Sequence, residues 1–160
     1  LNAINEKENI SKMIVTEAGR LSYYSGIKTV DAWGLNTKKY SKIPLNSVSK
    51  VIQENPCIIN AHINFSKLPG GEIEPYEDKR SWLNMTLALY RGALVLNHDI
   101  YVVPLYKNNI PVPFPTRNKT RFDLYTVSPK CKASKSIKKA IENNGGILIK
   151  NENQIKRYNW

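Results

Sequence analysis

The residues best placed to do chemistry lie in one stretch, Thr16-Glu17-Ala18-Gly19-Arg20-Leu21-Ser22-Tyr23-Tyr24-Ser25-Gly26, followed closely by Val30-Asp31-Ala32-Trp33-Gly34-Leu35-Asn36. It gathers two carboxylates (Glu17, Asp31), a guanidinium (Arg20), adjacent phenols (Tyr23, Tyr24) and an amide (Asn36). Carboxylates and amides pair with hydroxyls, a guanidinium with phosphate oxygens, and tyrosine offers an apolar face with a polar tip. Such a set suits a pocket for a sugar or a lipid-phosphate head group. The structural alternative is that Glu17, Arg20 and Asp31 satisfy backbone donors and one another around a turn. Gly19, Tyr24, Asp31 and Gly34 are expected to converge at one end of the sheet.

Elsewhere the chemical signals are negative. His62 and His98 have no cysteine or carboxylate at metal-ligand spacing, and no G-x-S-x-G elbow, phosphate loop or dinucleotide fingerprint occurs. His98-Asp99 reads as a turn-stabilising pair. The acidic segment Glu72, Glu74, Glu77 and Asp78 lacks the alternating ligands of a calcium loop and reads as solvated surface. No catalytic residue, metal or cofactor is assigned.

Positioning these residues requires an α/β fold, a mixed sheet with helices packed on it in one compact domain spanning 1–160. Met13-Ile14-Val15-Thr16 is a short β-branched run that suits a buried strand. Gly19 and Gly26 bracket the expected loop after it, in which one of Tyr23 and Tyr24 enters the core while the other stays at the surface. A second extended run covers Ile27 to Trp33. Residues 3–10 suit a short helix; Leu45, Val48, Val51 and Ile52 recur at helical spacing, and Asn55-Pro56 ends that helix before a strand from Cys57. Ser81 to Arg91 reads as a helix capped by Ser81 and stopped by Gly92. Ala93–Leu96 and Ile100–Tyr106 then read as a hairpin turning at Asn97-His98-Asp99, with Pro104 marking an edge or bulge. Residues 107–120 read as an extended loop with Pro111, Pro113 and Pro115, and Arg121–Val127 as a strand. Ser134 is placed to cap a helix carrying Ile137, Ala140 and Ile141, stopped by Gly145-Gly146, and Ile147-Leu148-Ile149 is a last strand.

The chain carries a formal net charge of +11, with its densest lysines at Lys130, Lys132, Lys135, Lys138 and Lys139. That balance favours an anionic partner: lipid head groups, phosphate-bearing glycans or nucleic acid. An uncommitted basic face is the plain alternative. The tyrosines fall mostly in apolar runs rather than interleaving with Arg and Lys, so nucleic acid is not expected. Apolar residues make up 41% of the chain, yet no stretch reaches the roughly 18 to 20 apolar residues of a spanning helix. Leu1 to Ile10 has no apolar signal-peptide core. Cys57 opens an apolar run and reads as a small buried hydrophobe, whereas Cys131 sits among lysines that favour a thiolate; a disulfide between them is the less favoured alternative.

The pattern Glu17-Ala18-Gly19 … Tyr23-Tyr24-Ser25-Gly26, then Asp31 … Gly34-Leu35-Asn36, resembles one that follows the last membrane span of bacterial polytopic glycosyltransferases of the GT-C type, which use polyprenyl-phosphate sugars. The resemblance is clearest over residues 12–36 and fades beyond about residue 92. It implies a soluble extracytoplasmic domain at the C-terminal end of a longer polytopic membrane protein, periplasmic or on the outer face of the cytoplasmic membrane. Such a domain has no catalytic role of its own; it covers the membrane cavity and helps to recognise a lipid-linked sugar or glycan acceptor beside an anionic membrane surface. The resemblance places Glu17 and Asp31 at acidic motif positions. The alternative class is a basic binding module for an anionic partner, with a free-standing enzyme ranking below it.

Overall fold

In a computed structural model, residues 1–16, 19–42, 44–63, 80–104, 106–107, 110–111 and 122–149 are described. The chain runs α1 (Asn2–Glu8), β1 (Met13–Val15), α2 (Arg20–Ser25), β2 (Thr29–Asp31), a 3-10 turn (Lys38–Tyr40), α3 (Val48–Glu54), β3 (Ile58–Ile63), α4 (Arg80–Val95), β4 (Asp99–Pro104), β5 (Tyr106–Lys107), β6 (Ile110–Pro111), β7 (Phe122–Val127), α5 (Ser134–Asn143) and β8 (Ile147–Ile149). Six strands form one sheet in the order β2-β1-β3-β7-β4-β8, and β5-β6 make a separate two-stranded hairpin. β1 is parallel to both β2 and β3; β7 is antiparallel to β3 and β4, and β8 to β4. This is the expected mixed sheet with helices packed on it, in one compact domain.

Helices cover both faces, which is why β1 and the first residues of β3 are apolar or buried without alternation. On one face Val51 of α3 and Met85, Leu89 and Ala93 of α4 pack over Ile14, Ile59, Ala61, Val102 and Leu124. On the other, Ile137 and Ile141 of α5 join Met13, Val15, Ile58, Tyr101 and Val127, with Ile4 and Leu21 from α1 and α2 packed against them. Each fully buried Leu, Ile or Met contributes roughly 1.5–3 kcal/mol relative to exposure. Removing either helical layer would therefore strip the sheet of its driving force.

Several local expectations are corrected. Residues 20–25 are helix α2 rather than loop, because the chain must return from the end of β1 to the start of a parallel β2, and a helical crossover does this. Gly26 ends α2 with φ +62°. Helix α4 continues through Gly92 to Val95, so Ala93–Leu96 is not a strand and 97–99 is not a hairpin turn. Gly92 is there for contact: a Cβ on it would lie 2.5 Å from Val51 Cγ1, so its missing side chain lets α4 and α3 approach. The turn is made instead at Asn97, with φ +56°.

Pro104 lies at the end of β4, opposite Phe122 and beyond Val102, the last β4 residue paired with β8, so it marks a strand end and not an edge strand. Within the stretch expected to be loop, Lys107 and Ile110–Pro111 belong to β5 and β6. Ser134 is the first residue of α5 and is buried, with Ala133 in the cap position and no side-chain cap bond. The acidic segment 72–78, Pro113 and Pro115 lie outside the described residues.

The cysteines also depart from expectation. Cys57 and Cys131 form a disulfide, with Cα atoms 5.3 Å apart, that ties the entrance of β3 to the turn before α5. Cys131 is buried, so no exposed thiolate exists among the lysines.

Candidate functional site

β1 and β2 are neighbouring parallel strands, so the segments leaving them share one end of the sheet, the carboxyl end, where α/β folds commonly place ligands. Asp31 ends β2 there. Its side chain is buried, and its two carboxylate oxygens accept the backbone N–H groups of Trp33 at 3.0 Å and Asn36 at 2.9 Å. The Asp31 N–H donates to Thr37 Oγ1 at 2.8 Å, and the Gly34 N–H to the Asp31 carbonyl at 3.0 Å. Gly34 has φ +79°, and a Cβ on it would lie 2.1 Å from the Tyr40 carbonyl oxygen. Asp31, Gly34 and the backbone of Asn36 thus build a tight turn, and both Asp31 oxygens point into the protein's own backbone.

The turn rests on a second polar cluster that the sequence did not single out. Glu54, at the end of α3, accepts from Lys39 Nζ at 2.6 Å, from the Tyr40 hydroxyl at 2.5 Å and from Lys12 Nζ at 2.9 Å. Burial alone would raise the Glu54 pKa, but these three donors hold it down to about 2. Desolvation, reinforced by Glu54, pushes the buried Tyr40 phenol up. A signal was present: Glu54 lies three residues after Val51, on the apolar side of its helix, and a carboxylate there needs partners. Its partners are remote in sequence and could not be read.

The remaining motif residues sit differently. Tyr23 and Tyr24 are both exposed, at 81% and 66%, so the expectation that one enters the core is corrected. The inward positions of α2 are taken by Leu21 and Ser25. The two rings meet edge to face with centroids 5.0 Å apart. Tyr24 does not converge with Asp31 and Gly34, because α2 runs from the carboxyl end of β1 back toward the amino end of β2, leaving Tyr24 near its far end. Gly19 starts that helix with open space around it. Arg20 begins α2, and Glu17 lies outside the described residues. Leu35, just after the turn, is 87% exposed.

Among the described motif residues, the exposed polar side chains that could meet a ligand are Tyr23, Tyr24 and Asn36. Two rings at right angles offer one face and one edge to a partner, with their hydroxyls free to bond to it; the C–H face of a sugar ring or the acyl–water boundary of a membrane both match that chemistry. His98 is buried, with Nδ1 2.9 Å from Thr126 Oγ1, and burial brings its pKa down to about 4 despite Asp99 beside it. Asp99 itself pairs with Lys138. Among the described residues no group of three or more His, Cys, Asp and Glu side chains is placed to hold a metal ion. Nor is any helix among them long and apolar enough to cross a membrane.

No curated protein and no solved structure matches the chain. A family model does, over residues 2–106, from α1 through β5 and so including the whole Asp31 turn and the Tyr23–Tyr24 pair. The chain belongs to the family described as "Domain of unknown function (DUF8728)".

Proposed function

We propose that this chain is the extracytoplasmic soluble domain of a membrane glycosyltransferase of the GT-C type, where it covers the membrane cavity and helps to recognise the glycan of a lipid-linked substrate without doing the transfer itself. The observation that carries the reading is the exposed Tyr23–Tyr24 pair. It lies within the motif that gives the resemblance, and the fold does not use it to fill a core. Two further features agree with the reading. The Cys57–Cys131 disulfide suits an oxidising compartment. The net charge of +11 suits a position beside anionic lipid.

The test is a titration of the wild-type domain and Tyr23→Ala/Tyr24→Ala with polyprenyl-phosphate sugars and with the corresponding free oligosaccharides. The double variant should bind at least about ten-fold more weakly, a change of about 1.4 kcal/mol. Its stability should stay within about 0.5 kcal/mol of wild type, as for other exposed sites. Equal binding by both proteins, or turnover of donor by the isolated domain, would overturn the reading.

A second reading is favoured by one observation. Lys135 and Lys139 lie on the exposed side of α5, close in sequence to exposed Lys130 and Lys132. This makes the domain a basic module for an anionic partner. Salt-sensitive binding to a phosphorylated glycan that survives loss of both tyrosines would select it.

A further inference from the structure

The margin of the sheet opposite the Asp31 turn gathers charge from segments far apart in sequence. Thr29, Met13, Ile58, Val127 and Asp99 are successive register partners, so they form one row across β2, β1, β3, β7 and β4. Lys28 immediately precedes that row on β2. Lys130 and Lys132 follow β7, in the turn that the Cys57–Cys131 disulfide ties to the entrance of β3. Lys135 stands in the first turn of α5. All four lysines are exposed, and none makes an ion pair with a described residue. The carboxylates beside the row do not offset them: Glu54 is held between Lys12 and Lys39, and Asp99 pairs with Lys138.

Exposed aliphatic side chains reach the same margin. Helices α3 and α4 both end there, because each leads directly into a strand that starts in the row. The Lys12 ammonium donates to the Glu54 carbonyl at 2.8 Å, and the His98 N–H donates to the Ala93 carbonyl at 2.9 Å, which seats both helix ends against the sheet. Ile52 in the last turn of α3 is exposed, as are Leu94 and Val95 at the end of α4, at 44% and 59%. Of the large exposed aliphatic side chains among the described residues, Leu35 alone lies at the opposite margin. Lysines by themselves would suit any polyanion. Joined to aliphatic side chains that the fold leaves uncovered, they match a surface with phosphates outside and hydrocarbon beneath.

We propose that this margin of the domain docks on an anionic lipid bilayer, with Lys28, Lys130, Lys132 and Lys135 among the head groups and Ile52, Leu94 and Val95 entering the acyl boundary. The helices hold their apolar residues at fixed ends, and the disulfide fixes the lysine turn, so the contact is made by a preformed surface. The inference rests on the glycosyltransferase reading only in placing the domain beside anionic lipid. Its test leaves Tyr23 and Tyr24 intact, so the docking face and the glycan site can fail separately.

The experiment is cosedimentation of the domain with phosphatidylcholine vesicles, with and without phosphatidylglycerol, at low and high salt. Wild type should bind only the anionic vesicles, and salt should weaken the binding. Lys28→Gln/Lys130→Gln/Lys132→Gln should lower the partition coefficient about five-fold per lysine. Leu94→Gln/Val95→Gln should lower it about ten-fold although no charge is changed. Thermal midpoints close to wild type in both variants would assign the losses to the surface. A second measurement follows fluorescence quenching by brominated phosphatidylcholine in mixed anionic vesicles, relative to wild type: the tryptophan added by Val95→Trp should be quenched, and that added by Leu35→Trp should not. Equal binding to neutral and anionic vesicles, full binding by either multiple variant, or quenching at position 35 rather than 95 would overturn the proposal. So would absence of vesicle binding by a wild-type domain that binds a single-stranded oligonucleotide, an outcome that would assign the lysines to nucleic acid.

Discussion

Asp31 accepts two backbone hydrogen bonds while buried, so its removal leaves two donors without partners in a turn that has no room to rearrange around Gly34. Asp31→Ala should cost about 2 kcal/mol in a urea titration, within the range for stranded buried donors and charged hydrogen bonds. An unchanged midpoint would mean that the turn is held by Thr37 and the backbone alone. At His98 the prediction concerns pH. The folded imidazole resists protonation down to about pH 4, whereas the unfolded chain takes up a proton near 6.5. The unfolded state therefore binds the extra proton in this window, and stability contributed above pH 6.5 is lost as pH falls toward 4, at up to about 1.4 kcal/mol per pH unit. Glu54, with its pKa lowered to about 2, adds its own loss only below the ordinary carboxylate range. His98→Gln should flatten the stability profile between pH 6.5 and 4; identical slopes in both proteins would remove His98 from the account.

The packing of elements makes Gly92 the sharpest probe. It is an interior residue of α4, where glycine is intrinsically about 1 kcal/mol worse than alanine. On propensity alone Gly92→Ala would stabilise the helix. The contact with Val51 reverses the sign, because the new methyl would overlap a β-branched side chain that cannot swing away cheaply. Overpacking of this kind costs typically about 1–3 kcal/mol. The thermal midpoint of Gly92→Ala should therefore fall, and Gly92→Ala/Val51→Ala should recover more than Val51→Ala alone predicts. A rise in the single variant would show that α3 and α4 are less closely seated.

For the whole molecule, the order of strands binds early and late sequence together. β7 lies between β3 and β4, so residues 122–127 complete the sheet to which the family-matched segment 2–106 belongs. The disulfide reinforces this by joining residues 74 positions apart across the same end of the sheet. Cys57→Ser/Cys131→Ser should lose about 2–4 kcal/mol, the usual effect of removing a cross-link that restricts the unfolded chain. Denaturation with and without reductant checks this: wild type under reducing conditions should match the double variant. No difference between oxidised and reduced wild type would show that the bridge adds nothing to stability.

The chain's own pattern determined β1, α3, β3, β7 and α5, because each has a hydrophobic period or an apolar run bounded by a local stop such as Asn55-Pro56 or Gly145-Gly146. It also marked Asp31 and Gly34 as a turn, a matter of neighbours in sequence. Tertiary structure decided the rest. That α2 is a helix follows from the parallel pairing of β1 with β2, and the passage of α4 through Gly92 follows from Val51 of another helix. Lys12, Lys39 and Tyr40 surround Glu54, and Cys57 finds Cys131, both through contacts distant in sequence. Local spacing can dictate which backbone a segment adopts; which side chains then meet depends on how the layers close over the sheet.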